Sequence, residues 1–526
     1  MKLSLKFVIF LTIFSLLNFG HFSLAAELIP NDPLYDKQWY LQKLNMPQIW
    51  PMETGENNVI VAVIDTGVDI SHPDLHDNIW VNQKEIDNDG IDNDGNGYID
   101  DANGWDFIGQ TNDPTPQYDI NCLTRKTCLE EAIFHGTLVS GVIAAVGNNN
   151  LGVTGVSWRT KIMPLRVLDE NGQGTTDNVI SAIEYAVNNG ANIINLSFVG
   201  NTYDPALAQA ILDAYNAGVL VVSAAGNEEI DGHSIDLDVK KRYPVCFSGP
   251  NGENIVLGVG ATDKKDVLAD FSNYGSSCVD IIAPGQDFFG TIVYDKTIPK
   301  FNNYYDGDFS GTSLAAPVIS GLAALMKSYK SVLTNKQIMD FFLNNTDSID
   351  WENPGYIGKL GKGFVDPDKI FQAIKTQFNV GQLIKGSTAA VYFYALDGKR
   401  YVFPDQNTYF SWYDDFKSVK KISDAELAAI PIGGNVTSRP GVKLLKIKSS
   451  PQVYAVSQGG VLRWLSTEEL AQTLYGQNWQ SFVVDLDDSF FAGYKVGQAI
   501  TRASDYDPFT EKNMAISIDI DKGFNS

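Results

Sequence analysis

Short, almost wholly apolar runs recurring between helix-period segments constrain the fold of this chain more than any other feature. Val59-Ile60-Val61-Ala62-Val63-Ile64 ends in Asp65-Thr66-Gly67, and further runs follow at Lys161 to Leu168, Ile193 to Ser197, Val219 to Ala224 and Ile255 to Val259. A strand covered on both faces needs no polar alternation, so these runs read as buried parallel strands. Between them, Val179 to Val187 reads as a helix that stops at Asn189-Gly190. Strand then helix, repeated, predicts an α/β fold: a doubly wound, mainly parallel sheet flanked by helices. The stretch 27–378, about 350 residues, is long enough for one large hydrophobic core.

In open parallel sheets the carboxyl edge is where sites form, and Asp65 lies at that end of its strand. A carboxylate there either caps the strand or orients a base. Histidine is scarce: of the 5 in the chain, His21, His72, His76, His135 and His233, only His135 opens a helix-like segment with small neighbours, Gly136 and Gly141. Ser313 stands in Gly311-Thr312-Ser313-Leu314-Ala315-Ala316-Pro317, just before apolar residues spaced for a helix as far as Met326. Such a serine is either an N-cap or a nucleophile beside partly positive backbone N–H groups. Pro317 is tolerated there only because the helix has just begun.

Taken together, Val63-Ile64-Asp65-Thr66-Gly67, then His135-Gly136-Thr137 with Gly141, then Gly311-Thr312-Ser313 with Ala315-Ala316-Pro317 resemble the subtilisin-like serine proteases, the subtilases, in both motif and order. The resemblance covers roughly Asn31 to Ile374. It implies that Ser313 attacks a peptide carbonyl, His135 shuttles the proton and Asp65 holds the imidazole. It also assigns Asn227, at the end of the run Gly218 to Asn227, to the oxyanion hole. A secreted serine endopeptidase acting on proteins or peptides is therefore expected. The competing reading is a catalytically dead, subtilase-like binding protein of the cell surface.

The departures from the family pattern concern the cleft. Ser197, Phe198 and Val199 match the substrate-binding edge, with Val199 where Gly is usual, so the pocket for the residue before the cut is expected to be narrowed. Gly226 and Arg242 are expected on the opposite wall, with Arg242 favouring an acidic side chain there. Leu138 replaces a second histidine common in the family, outside the triad.

Calcium is the expected cofactor. Asp92, Asp94, Asn96, Tyr98 and Asp100 follow the alternation of an EF-hand loop, with Gly97 at the sharp turn, although its twelfth position would be Asn103, leaving Asp101 to complete the shell. A second site follows from the resemblance alone: side chains of Asp32, Asp74 and Asn149, and carbonyls of Leu151 and Val153.

Lys2 and Lys6 precede an apolar run from Phe7 to Leu17, followed by Ser23, Ala25 and Ala26, so residues 1–26 read as a secretory signal peptide. No later segment approaches the roughly 18 apolar residues of a membrane span. Subtilases commonly carry an inhibitory chaperone segment, and the likeness of Asn31-Asp32-Pro33-Leu34-Tyr35 to a catalytic-domain start leaves no room for one after the signal. Four cysteines suit an oxidising compartment: Cys122 and Cys128 are close enough to staple the loop before His135, leaving Cys246 with Cys278, one of three pairings. A net charge of −24 disfavours nucleic acid and anionic membranes as partners.

Beyond residue 378 the texture changes to Gly and aromatics, and 379–526 read as a β-rich domain. Val391-Tyr392 with Gly398, Arg400 and Tyr401 recurs as Val453-Tyr454 with Gly460, Arg463 and Trp464, an offset of about sixty residues that suggests duplication. Its aromatics either form a small core or attach the enzyme to a cell-wall, glycan or surface-protein partner.

Overall fold

The strand Ile60–Asp65 is buried at every residue after the first, as a run without polar alternation requires. Val61 and Val63 enter the core on one face, while Ala62 and Ile64 enter a separate core on the other. That period of two, apolar on both sides, makes the strand a central one. The computed structural model describes residues 27–524 apart from 120, 228, 231, 232, 377 and 448, so the predicted signal segment lies outside the described residues. The chain divides into two compact units, with the boundary between Lys375 and Thr376.

In the first unit nine strands form one sheet. From edge to edge they are Thr346–Asp347, Phe364–Val365, Ile281–Pro284, Leu257–Thr262, Leu220–Ala224, Ile193–Leu196, Ile60–Asp65, Lys161–Arg166 and Trp105–Asp106. Every neighbouring pair is parallel except the first. The α/β, doubly wound reading is borne out. Strand order reverses at Ile60–Asp65, which lies between the later strands Lys161–Arg166 and Ile193–Leu196, and connections diverging from such a point leave a crevice at the carboxyl ends. The register sets Ile64 opposite Leu196, and Leu196 opposite Ser223, so the residues that follow these strands emerge side by side.

Helices Glu130–Ala144 and Thr312–Tyr329 supply the apolar residues of one face, among them Val139, Val142, Val318 and Leu322. Thr176–Asn188 and Pro205–Asn216 cover the other through Val179, Ile183, Leu207 and Ile211. Disulfides join Cys122 to Cys128 and Cys246 to Cys278, the pairing expected from the sequence.

The second unit holds two five-stranded sheets. In the first, the meander Leu383–Lys385, Tyr392–Tyr394 and Arg400–Val402 is flanked by Lys420–Lys421 and Ile432–Asn435. In the second, Leu444–Ile447, Val453–Ser457 and Val461–Trp464 are flanked by Val483–Leu486 and Lys495–Val496. Both have antiparallel pairs within the meander and parallel pairs at each side. The short sequence repeat thus falls on two sheets of the same strand plan. Many of its aromatics, including Tyr394, Tyr401, Tyr409, Tyr454 and Tyr506, are buried, while Phe410, Phe416 and Phe509 are exposed.

Candidate active site

Asp65, the last residue of its strand, is wholly buried, and its Oδ1 accepts from the Thr66 N–H at 2.7 Å and lies 2.8 Å from His135 Nδ1. His135 sits in the second turn of Glu130–Ala144. Two glycines let this helix lie close to its neighbours, Gly136 at the Asp65 strand and Gly141 at Phe288–Thr291. A Cβ on Gly136 would run into the Gly67 carbonyl oxygen, and one on Gly141 into Thr291 Oγ1. Gly136 N–H in turn donates to Thr66 Oγ1 at 3.1 Å, tying the helix to the end of the strand. Burial pulls the imidazole pKa down, but the Asp65 charge and hydrogen bond, helped by the charge of Glu131, more than offset it, so the net shift is upward.

Ser313 is the second residue of Thr312–Tyr329 and lines one cavity with His135, Asn227 and Leu314. A Cβ built on Gly311 would lie 2.7 Å from Ser313 Oγ and 3.0 Å from Asn227 Nδ2, which places both atoms around one small residue. Asn227 is held by Thr312, whose N–H and Oγ1 each donate to Asn227 Oδ1 at 2.8 Å. Those bonds engage the amide oxygen and leave its N–H groups for the cleft. Thr312 Oγ1 also accepts from the Gly226 N–H at 3.0 Å, so this buried hydroxyl fastens the Ser313 helix to the loop after Leu220–Ala224. In the sequence Thr312 is silent, because a threonine before a helix carries no signal of its own.

Ser197 is almost fully buried, and its Oγ donates to the Ser313 carbonyl at 2.8 Å. The reason lies in Pro317. A helix would normally satisfy that carbonyl with the N–H of the residue four later, and proline has none. Asn195 Nδ2 donates to Ser197 Oγ at 2.9 Å, and Ser320 Oγ donates to Asn195 Oδ1 at 2.8 Å, completing a buried polar chain between strand and helix. Phe198 and Val199 are half-buried. A Cβ on Gly226 would come within 2.8 Å of Val199 Cγ2, so these two predicted residues are neighbours. Arg242 is buried, with Nη1 donating to the Lys241 carbonyl at 3.1 Å.

The metal-ligating candidates fall into two places. Asp32 and Asp74 are both nearly inaccessible to solvent. Asp74 Oδ1 accepts from Asn149 Nδ2 at 2.8 Å and its Oδ2 from the Val153 N–H at 2.9 Å, while Asn149 Oδ1 accepts from the Leu151 N–H at 2.8 Å. Burial drives both carboxyls upward, Asp74 to about 7. Two acids desolvated together form an all-oxygen donor set that fits a hard cation.

In the acidic loop, Asp92 and Asp94 meet Glu85, with oxygens within 4.8 Å of one another. Asp100 instead accepts from the N–H groups of Asp89 and Gly90 at 2.9 and 3.1 Å, and Tyr98 packs its ring against Trp105 and Tyr185. Asn96 Nδ2 donates to Asp101 at 2.9 Å, and buried Asp101 is also bonded by Tyr185 and Asn82. Glu85 was missed because it precedes the stretch that the loop template reads.

The Peptidase_S8 profile, described as the subtilase family, matches residues 56–369. The chain is 36% identical over 304 residues to the "Thermophilic serine proteinase" of Bacillus sp. (strain AK1), covering 58% of this chain and 61% of that protein. Over 300 residues it is 33% identical to "Thermitase" of Thermoactinomyces vulgaris, covering 57% of this chain and 85% of that protein. Over 381 residues it is 32% identical to the "Extracellular basic protease" of Dichelobacter nodosus, covering 67% and 57% respectively. It therefore spans about three-fifths of the first and third of these relatives. The profile takes in the parallel strands from Ile60–Asp65 to Phe364–Val365, and thermitase is matched along most of its length: the chain belongs to the subtilase family.

Proposed function

We propose that the protein is a secreted serine endopeptidase that cleaves protein substrates through an acyl-enzyme. The observation that carries this reading is the 2.8 Å hydrogen bond that His135 Nδ1 donates to buried Asp65, beside a cleft shared by His135, Ser313 and Asn227. Ser313 Oγ attacks the scissile carbonyl as His135 Nε2 takes its proton, and Asp65 fixes the tautomer and stabilises the imidazolium. The oxyanion meets Asn227 Nδ2–H and the Ser313 N–H at the start of Thr312–Tyr329, the Thr312 and Leu314 N–H groups being engaged by Asn227 Oδ1 and the Gly311 carbonyl. His135 then returns the proton to the leaving amine, and water repeats the sequence to release the acid.

Val199 narrows the pocket for the residue before the cut, and Arg242 favours an acidic side chain in it; a peptide library showing no such preference would remove that assignment. Calcium is the structural cation, held at Asp32 and Asp74 and at Glu85, Asp92 and Asp94. Export agrees with the disulfides and the signal-like start; among the described residues no helix is long and apolar enough to cross a membrane. Exposed Phe410 and Phe416 are the candidate contacts of the second unit with a cell-wall glycan or surface protein. Hydrolysis of unfolded casein tests the central reading: wild type should cleave it and Ser313→Ala should not. Equal cleavage by both would refute it.

A further inference from the structure

Two glutamates stand beside the catalytic base, and no step of the reaction uses them. Helix Glu130–Ala144 opens with Glu130 and Glu131, and Glu131 precedes His135 by one turn, on the same face. A cavity of about 480 Å³ opens there, with Leu129, Glu130, Glu131, His135, Leu168 and Phe198 in its walls. The walls are fixed: the Cys122–Cys128 disulfide closes the loop just ahead of Leu129, whose N–H donates to the Glu170 carbonyl at 3.0 Å.

The position of the cavity says which substrate residue enters it. An extended peptide laid along the edge that continues Ile193–Leu196 alternates its side chains. If the residue before the cut points toward Val199 and Gly226, the one preceding it points the other way, toward His135. The lining chemistry says what that residue is. Among the described residues, Glu130 and Glu131 are the only carboxylates in the walls. Glu130 is engaged by Lys300 Nζ at 3.1 Å, which also lies 3.6 Å from Asp306. Glu131 is exposed and has no ion pair among the described residues. Leu129, Leu168 and Phe198 offer apolar surface for a long methylene stem with a polar end.

We infer that the Glu131 carboxylate selects lysine or arginine as the second substrate residue on the acyl side of the cut. This rests on the peptidase reading. The test compares kcat/KM for peptides differing only in Lys, Met or Glu at that position. Wild type should prefer Lys over the similarly shaped Met by about fivefold at low ionic strength, the scale of a partly exposed ion pair, and less in high salt. Glu131→Gln should abolish the preference, and Glu131→Lys should turn it toward Glu. The ratio between substrates is the readout, because any effect of Glu131 on His135 is common to all three. Fluorophosphonate labelling of Ser313 checks that each variant is folded. Labelled wild type that cleaves Lys and Met peptides alike, or Glu131→Gln that keeps the wild-type ratio, overturns this inference alone; failure of folded wild type to label removes the peptidase reading and the inference with it.

Discussion

At the scale of single residues, the proposed chemistry falls to four side chains and their restraint to others. Asn227→Ala should lower kcat by about 100- to 1000-fold with little change in KM, a range taken from a comparable oxyanion donor in subtilisin. The raised pKa of His135 gives a pH prediction with a definite sign. Reaction requires neutral imidazole, so kcat/KM should fall as pH drops through a value above the ordinary 6.5 or so. Asp65→Asn removes the charge that offsets burial, so its acid limb should move to lower pH, on an activity reduced by about 10⁴-fold. A pH profile of the residual activity checks this; an unmoved limb would mean that Asp65 does not govern the base. Asp65, His135, Ser313 and Asn227 were legible because each is a chemically apt residue in a distinctive run of small or apolar neighbours. Thr312 and Ser197 act by hydrogen bonds to atoms distant in sequence, and Glu85 meets Asp92 and Asp94 only once the chain turns, so their roles had no local signature.

At the scale of elements, the Ser313 helix is held by a bond that its own sequence created a need for. Pro317 leaves the Ser313 carbonyl without its helical partner, and Ser197 supplies one. Ser197→Ala should therefore cost about 1–3 kcal/mol, the price of a stranded buried acceptor. The same change made together with Pro317→Ala should cost less, since the restored N–H takes over; chemical denaturation of the four chains measures this coupling. Gly136→Ala belongs to the same scale. Its methyl group would strike the Gly67 carbonyl, so the helix must withdraw from the strand, and activity should fall at least tenfold with separation of His135 from Asp65. Strands and helices of the first unit were readable because burial on two faces leaves a continuous apolar run. The outer strands of the second unit were not: Lys420–Lys421 and Lys495–Val496 are two residues long and exposed, with no pattern to read.

At the scale of the whole molecule, the reversal of strand order at Ile60–Asp65 gathers the site, while the second unit is built by repeating one five-stranded plan. The four proposed catalytic residues all lie in the first unit, so a chain ending at Lys375 should keep its rate of Ser313 labelling, compared in the same assay with the full chain. Excess EDTA should lower the melting temperature of the full chain and calcium should restore it, because removing the proposed cation leaves two groups of close carboxylates uncompensated. The most direct measurement of the central claim is mass spectrometry of the folded protein after reaction with a fluorophosphonate. One adduct is expected, on the peptide carrying Ser313, formed by wild type, absent from Ser313→Ala and greatly slowed in His135→Ala. A folded wild-type protein that forms no adduct, or forms it as fast without His135, would contradict it.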